Sequence, residues 1–109
     1  YVLPQFVDEE CKQNDNDEVE QILQIQAARH PTLEEYLAST ENNTSYGPQK
    51  FISNDIDLSS SGTTQMVITG PNMGGKSVYI KMIGCLIIMA QIGSYVPAQS
   101  MRLTVFDMV

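Results

Sequence analysis

Apolar residues recur along this chain in more than one rhythm, and each rhythm predicts a different element. Leu23-Gln24-Ile25-Gln26-Ala27 alternates apolar with polar, the period of a half-buried strand. A helix through Val19, Ile22, Leu23 and Gln26, capped by Asp17, is the competing reading, and the strand is preferred. Phe51 to Leu58 alternates again, with Ile52, Ile56 and Leu58 on one face, and predicts a second strand. Met66-Val67-Ile68-Thr69 is a short continuous apolar run ending in glycine, the pattern of a buried strand in a parallel sheet. From Lys76 to Ile92 the apolar residues, Val78, Ile80, Met82, Ile83 and Leu86 among them, cover most of a helical circumference. A long helix buried on several sides is expected there.

Between these elements the chain is punctuated. Asp8 to Glu20 is polar and acidic, a solvated loop or insertion. His30-Pro31 stops the first strand, because proline forces its predecessor into an extended conformation. Thr32-Leu33-Glu34-Glu35 matches a capping box and predicts a short helix through Tyr36 and Leu37. Ser39 to Lys50 reads as a loop and Ser59 to Thr63 as a turn. No charge falls between Lys81 and Arg102, but the continuous apolar part is only Met82 to Ala90. A spanning helix needs about 20 mostly apolar residues, so no membrane span is predicted. The sequence shows no internal repeat.

Charge and cysteine count narrow the function classes. The formal net charge of the 109 residues is −7, and it is unevenly placed. Residues 1–61 carry Lys12, Arg29 and Lys50 against twelve carboxylates, whereas residues 62–109 carry Lys76, Lys81 and Arg102 against Asp107 alone. Phosphate backbones are met by clustered Lys and Arg, so the acidic half does not read as a nucleic-acid face. Cys11 and Cys85 form neither a disulfide framework nor a metal site, and Cys85 is expected as a buried thiol. The sequons at Asn42 and Asn43 are taken as chance matches. Both ends read as the middle of a longer chain, with residues 1–20 connecting from a preceding domain and residues 21–109 forming one truncated domain.

One segment carries chemistry. Gly70-Pro71-Asn72-Met73-Gly74-Gly75-Lys76-Ser77 fits the phosphate-loop pattern, and a predicted strand enters it while a predicted helix leaves. Gly74 and Gly75 let the backbone wrap closely around phosphate oxygens. Successive amides then form an anion nest, and the helix beginning near Lys76 adds its positive end. Lys76 is placed to reach the β- and γ-phosphates, and the Ser77 hydroxyl to ligate Mg²⁺. A nucleoside triphosphate with Mg²⁺, ATP foremost, is the expected ligand. Hydrolysis also needs an acidic residue at the end of a later strand, and after Ser77 only Asp107 is acidic, with no apolar strand running into it.

The run Thr69 to Ser77, followed by Met89-Ala90-Gln91-Ile92-Gly93-Ser94-Tyr95-Val96-Pro97-Ala98, closely resembles the ATPase domain of MutS-type DNA mismatch-repair proteins. Arg29-His30-Pro31 and Phe51 to Leu58 stand where that family has its own such segments, so the resemblance covers about residues 20–109. Tyr1 to Phe6 and Tyr79-Ile80-Lys81 are similar to the eukaryotic paralogue specialised for insertion–deletion loops, Arg102-Leu103-Thr104 to the one for base mismatches. The resemblance implies an α/β fold of the ABC type of P-loop NTPase, N-terminal part only, with a mixed sheet and a buried helix after the loop. It implies a nuclear, dimeric clamp with another MutS homologue as partner, mismatched duplex DNA held by other domains, and ATP hydrolysis in the full-length dimer.

Carried over residue by residue, Phe51 matches the aromatic that stacks on adenine, with Ile52 beside it, and Asn72 a residue near the γ-phosphate and the attacking water. Lys76 and Asn72 are thus the expected catalytic residues, and Phe51, Ile52 and Gly70 to Ser77 the expected nucleotide site. His30 is open between a place near the nucleotide and a structural role. Val78 and Met82 depart from the family's Thr or Ser and its Gln, which leaves open a diverged, non-catalytic fragment. Another P-loop protein, a small kinase or GTPase, is the third reading, although no guanine-reading Asn-Lys-x-Asp is present.

Overall fold

The computed structural model describes residues 1–7, 20–40 and 50–109. The acidic segment with Cys11 and most of the Ser39–Lys50 loop, both sequons included, lie outside the described residues. Strand β1 is Gln5–Phe6, β2 Ile22–Ala28, helix α1 Pro31–Thr40, β3 Asn54–Ser59, α2 Lys76–Gln91 and β4 Ser100–Leu103. The strands form one mixed sheet in the order β1-β4-β2-β3, with β1 parallel to β4 and the other pairs antiparallel.

Alternation sorts the sheet into two faces. Leu23, Ile25, Ile56, Met101 and Leu103 point into the core, where they meet Met82, Leu86, Ile87 and Ala90 of α2. The opposite face carries Gln24, Asp57 and Arg102, joined across three strands. Arg102 Nη1 donates to Gln24 Oε1 (3.4 Å), and Gln24 Nε2 donates to Asp57 Oδ1 (3.0 Å). Between Ile25 and Ala28 the β2–β3 register shifts, and Ala27 takes a left-handed φ of 50°. The amide freed by this bulge is not lost, because Ala27 N donates to Asp55 Oδ1 at 2.7 Å.

The first seven residues are hydrogen-bonded into the same body: Val2 and Val96 exchange two backbone bonds of 2.9 Å, and Val7 N donates to Leu103 O. Helix α2 ends in a Schellman motif. Ser94 N donates to Met89 O and Gly93 N to Ala90 O, with Gly93 at φ 79°. That reversal buries Val96, Pro97 and Ala98 and leads the chain into β4. The Gly93-to-Ala98 run therefore has a structural cause of its own.

Five expectations need correction. Met66 to Thr69 forms no strand, and Val67 is 88% exposed, because none of the described strands pairs with it. Helix α2 buries a single face, leaving Ile80, Ile88 and Ile92 exposed. Strand β3 starts at Asn54, so Ile52 falls outside it and is 83% exposed, with Asn54 Nδ2 turned back onto the Ile52 carbonyl at 3.2 Å. Helix α1 starts one residue before the expected cap. Pro31 occupies its first turn, and His30 caps it through Nδ1, which accepts from Leu33 N at 3.4 Å. The Thr32 hydroxyl bonds that same ring nitrogen instead of a free amide. Cys85 is half-buried rather than buried. No helix is long and apolar enough to cross a membrane among the described residues.

Candidate functional site

The loop between Thr69 and α2 owes its shape to where glycine stands. Gly74 N donates to Pro71 O at 3.1 Å and closes a tight turn with Asn72 and Met73 at its tip. A Cβ on Gly74 would lie 3.0 Å from that same carbonyl oxygen, so a side chain there would crowd the turn's own backbone. Gly75 is the N-cap of α2 at φ 90°, a left-handed conformation that costs an L-residue roughly 1–2 kcal/mol. No side chain caps the helix, and its first internal bond is Tyr79 N to Gly75 O at 2.9 Å. The amides ahead of it are thus free to meet an anion.

Lys76 folds back over this loop, and its Nζ donates to the carbonyl oxygen of Gly70. No carboxylate lies within ion-pair reach of it among the described residues. A cation held by a neutral carbonyl beside uncapped helix amides is suited to a multiply charged anion.

The loop opens into a cleft of about 850 Å³, a volume of the size class that takes small-molecule ligands. Gly74, Gly75 and Lys76 line it from the loop, Phe51 and Ile52 from the segment before β3, and Leu33 and Leu37 from α1. Phe51 is half-buried and packs on the core while keeping surface in the cleft. Gly70 is tied in through Lys76, whereas Pro71, Asn72, Met73 and Ser77 are exposed and outside the cleft's lining.

Sequence reasoning did not single out Tyr79 or Asp55, which join the loop helix to the sheet. Tyr79 stands one turn after Lys76, and its hydroxyl donates to the Asp55 carbonyl at 3.1 Å. Asp55 in turn holds the β2 bulge through its side chain. Burial, and secondly the Asp55 carboxylate, hold the Tyr79 hydroxyl above its ordinary pKa.

Of the two departures, Val78 lines the cleft, but Met82 is fully buried in the core and is not part of the cleft's lining. His30 serves α1 as described, and its neighbour Arg29 anchors the same junction. Arg29 N donates to Pro97 O at 2.9 Å. Its Nε lies 3.4 Å from Glu34 Oε1, close enough for charge attraction but outside hydrogen-bonding geometry.

Comparison with known proteins adds a second line of evidence. Residues 66–109 match the family model of MutS domain V. The whole chain is 39% identical over 109 residues to the DNA mismatch repair protein msh3 of Aspergillus niger. It is 46% identical over 93 residues, 85% of its length, to MSH3 of Candida glabrata, and 42% over 92 residues, 84% of its length, to MSH3 of Debaryomyces hansenii. In each case the chain spans 8% of the relative's length.

Proposed function

We propose, since this chain belongs to the MutS family of DNA mismatch-repair proteins, that its loop from Gly70 to Ser77 grips the triphosphate of ATP. The observation that carries this is Lys76 folded across an uncapped helix N-terminus, with Gly74 and Gly75 shaping the backbone beneath it. Those residues fit the ligand: the amides and the ammonium meet phosphate oxygens, and the Ser77 hydroxyl in the first turn of α2 is available to Mg²⁺. Bound Mg²⁺ supplies charge neutralisation for the phosphates. Phe51, with Ile52 beside it, offers the surface on which adenine stacks, and Asn72 at the loop tip stands for the γ-phosphate side.

At the scale of the full-length protein, the reading is an ATPase domain of the ABC type whose hydrolytic residues are supplied outside the described residues. ATP binding and hydrolysis are coupled there to recognition of mismatched or looped DNA by other domains, in a nuclear dimer with a second MutS homologue. The msh3 relatives, named as mismatch-repair proteins, support this role. Placement of Met82 in the core removes one reason to read the site as diverged. The test is ATP turnover by the full-length protein with its partner on perfectly paired, mismatched and looped duplexes. Turnover that differs between lesion and perfect duplex is expected. Identical turnover on all three would overturn the coupling.

A further inference from the structure

One side chain fastens two walls of the cleft to each other. Gly75, Lys76 and Tyr79 line it from the loop and α2, and Phe51, Asn54 and Asp55 from the start of β3. Strand β3 lies at the edge of the sheet, and Asp55 falls at its register shift, between the paired Asn54 and Ile56. The Tyr79 hydroxyl donates to the Asp55 carbonyl at 3.1 Å. Among the described residues this is the one side-chain hydrogen bond between α2 and β3. Its acceptor is itself tied down, since Asp55 Oδ1 takes the Ala27 amide at 2.7 Å. The same hydroxyl oxygen lies 3.8 Å from Met66 Sδ, on the segment that enters the loop. Packing on the core accounts for the Tyr79 ring but not for its hydroxyl, because phenylalanine would fill the same space.

A ligand that spans two walls gains from both only when their separation matches its own length. Lys76 stands one helical turn before Tyr79, on the same side of α2, so a bond that fixes Tyr79 also fixes Lys76. We propose that Tyr79 is a positioning residue, whose hydroxyl bond to Asp55 sets the distance between Lys76 and Phe51 so that one ATP molecule meets both. This rests on the reading of the cleft as an ATP site. In this role Tyr79 acts through the two walls and adds no contact to the nucleotide.

A residue that sets the spacing of two walls matters only to a ligand that reaches both, so the two halves of ATP serve as probes. Affinities of the full-length protein for Mg·ATP, Mg·tripolyphosphate and adenosine are to be measured by calorimetry. In Tyr79→Phe, ATP affinity is expected to fall roughly threefold to tenfold, the size of one hydrogen bond. Tripolyphosphate and adenosine each bind this variant as they bind the wild type. Tyr95→Phe, which alters an exposed tyrosine outside the cleft's lining, leaves all three affinities unchanged. Undiminished ATP affinity in Tyr79→Phe would overturn the positioning role. Equal weakening toward ATP and either half would overturn it too, because the hydroxyl would then be shaping one wall alone. Wild-type protein that binds no Mg·ATP would instead overturn the reading of the cleft itself, and the positioning role with it.

Discussion

At the scale of single residues, the shape of the loop was legible where the backbone dictates residue type. Gly74 closes the turn onto Pro71 and Gly75 takes φ 90° at the start of α2, both at positions the spacing had marked for glycine. Tyr79 was not legible, because nothing in its local pattern shows that its hydroxyl meets a carbonyl on β3 across the fold. That contact yields a prediction. Burial, with the Asp55 charge adding to it, raises the Tyr79 pKa, so the phenolate is disfavoured in the folded protein. With pH rising past the ordinary tyrosine value of about 10, the unfolded chain loses its proton first. The contribution of Tyr79 to stability is therefore full below that value and falls as pH rises through the window above it. Ultraviolet titration of tyrosine in wild type minus Tyr79→Phe should isolate one ionisation above the ordinary value. A difference curve centred at or below it would contradict the contact.

At the scale of elements, periodicity located β2 and α2 correctly and misjudged how α2 is covered. The alternation of Leu23 to Ala27 survives as β2 because Leu23 and Ile25 both find the core. Strand β4 went unread, although Met101 and Leu103 alternate with Arg102 in the same way; the run is only four residues long. The expected Met66–Thr69 strand failed for a different reason. A strand is made by its neighbours, and sequence pattern alone does not say which neighbour is present. Helix α1 shows how capping moves a boundary, since Thr32 satisfies the written motif while His30 does the capping. Replacing His30 by Ala should therefore cost about 1 kcal/mol locally. Hydrogen exchange of the α1 amides in the full-length protein should speed up, and His30→Asn should restore protection. Equal protection in His30→Ala and wild type would remove the capping role.

At the scale of the whole molecule, one face is finished and another is not. The core between sheet and α2 is closed, yet Met66 and Val67 before the loop, Ile80 and Ile88 along α2 and Ile92 at its end remain exposed. A polypeptide of residues 1–109 should consequently bind an apolar dye and associate as its concentration rises. Val67→Lys with Ile88→Lys should reduce both effects. A monomer without dye binding would show that these residues are covered from within the chain. The central claim, that Gly70 to Ser77 hold the phosphates of ATP, is tested most directly by titrating Mg·ATP into the full-length protein and its Lys76→Ala variant. Binding that is lost, or weakened at least a hundredfold with the fold intact, is predicted from removal of a charge-assisted contact of roughly 3 kcal/mol. Undiminished affinity in Lys76→Ala would contradict it.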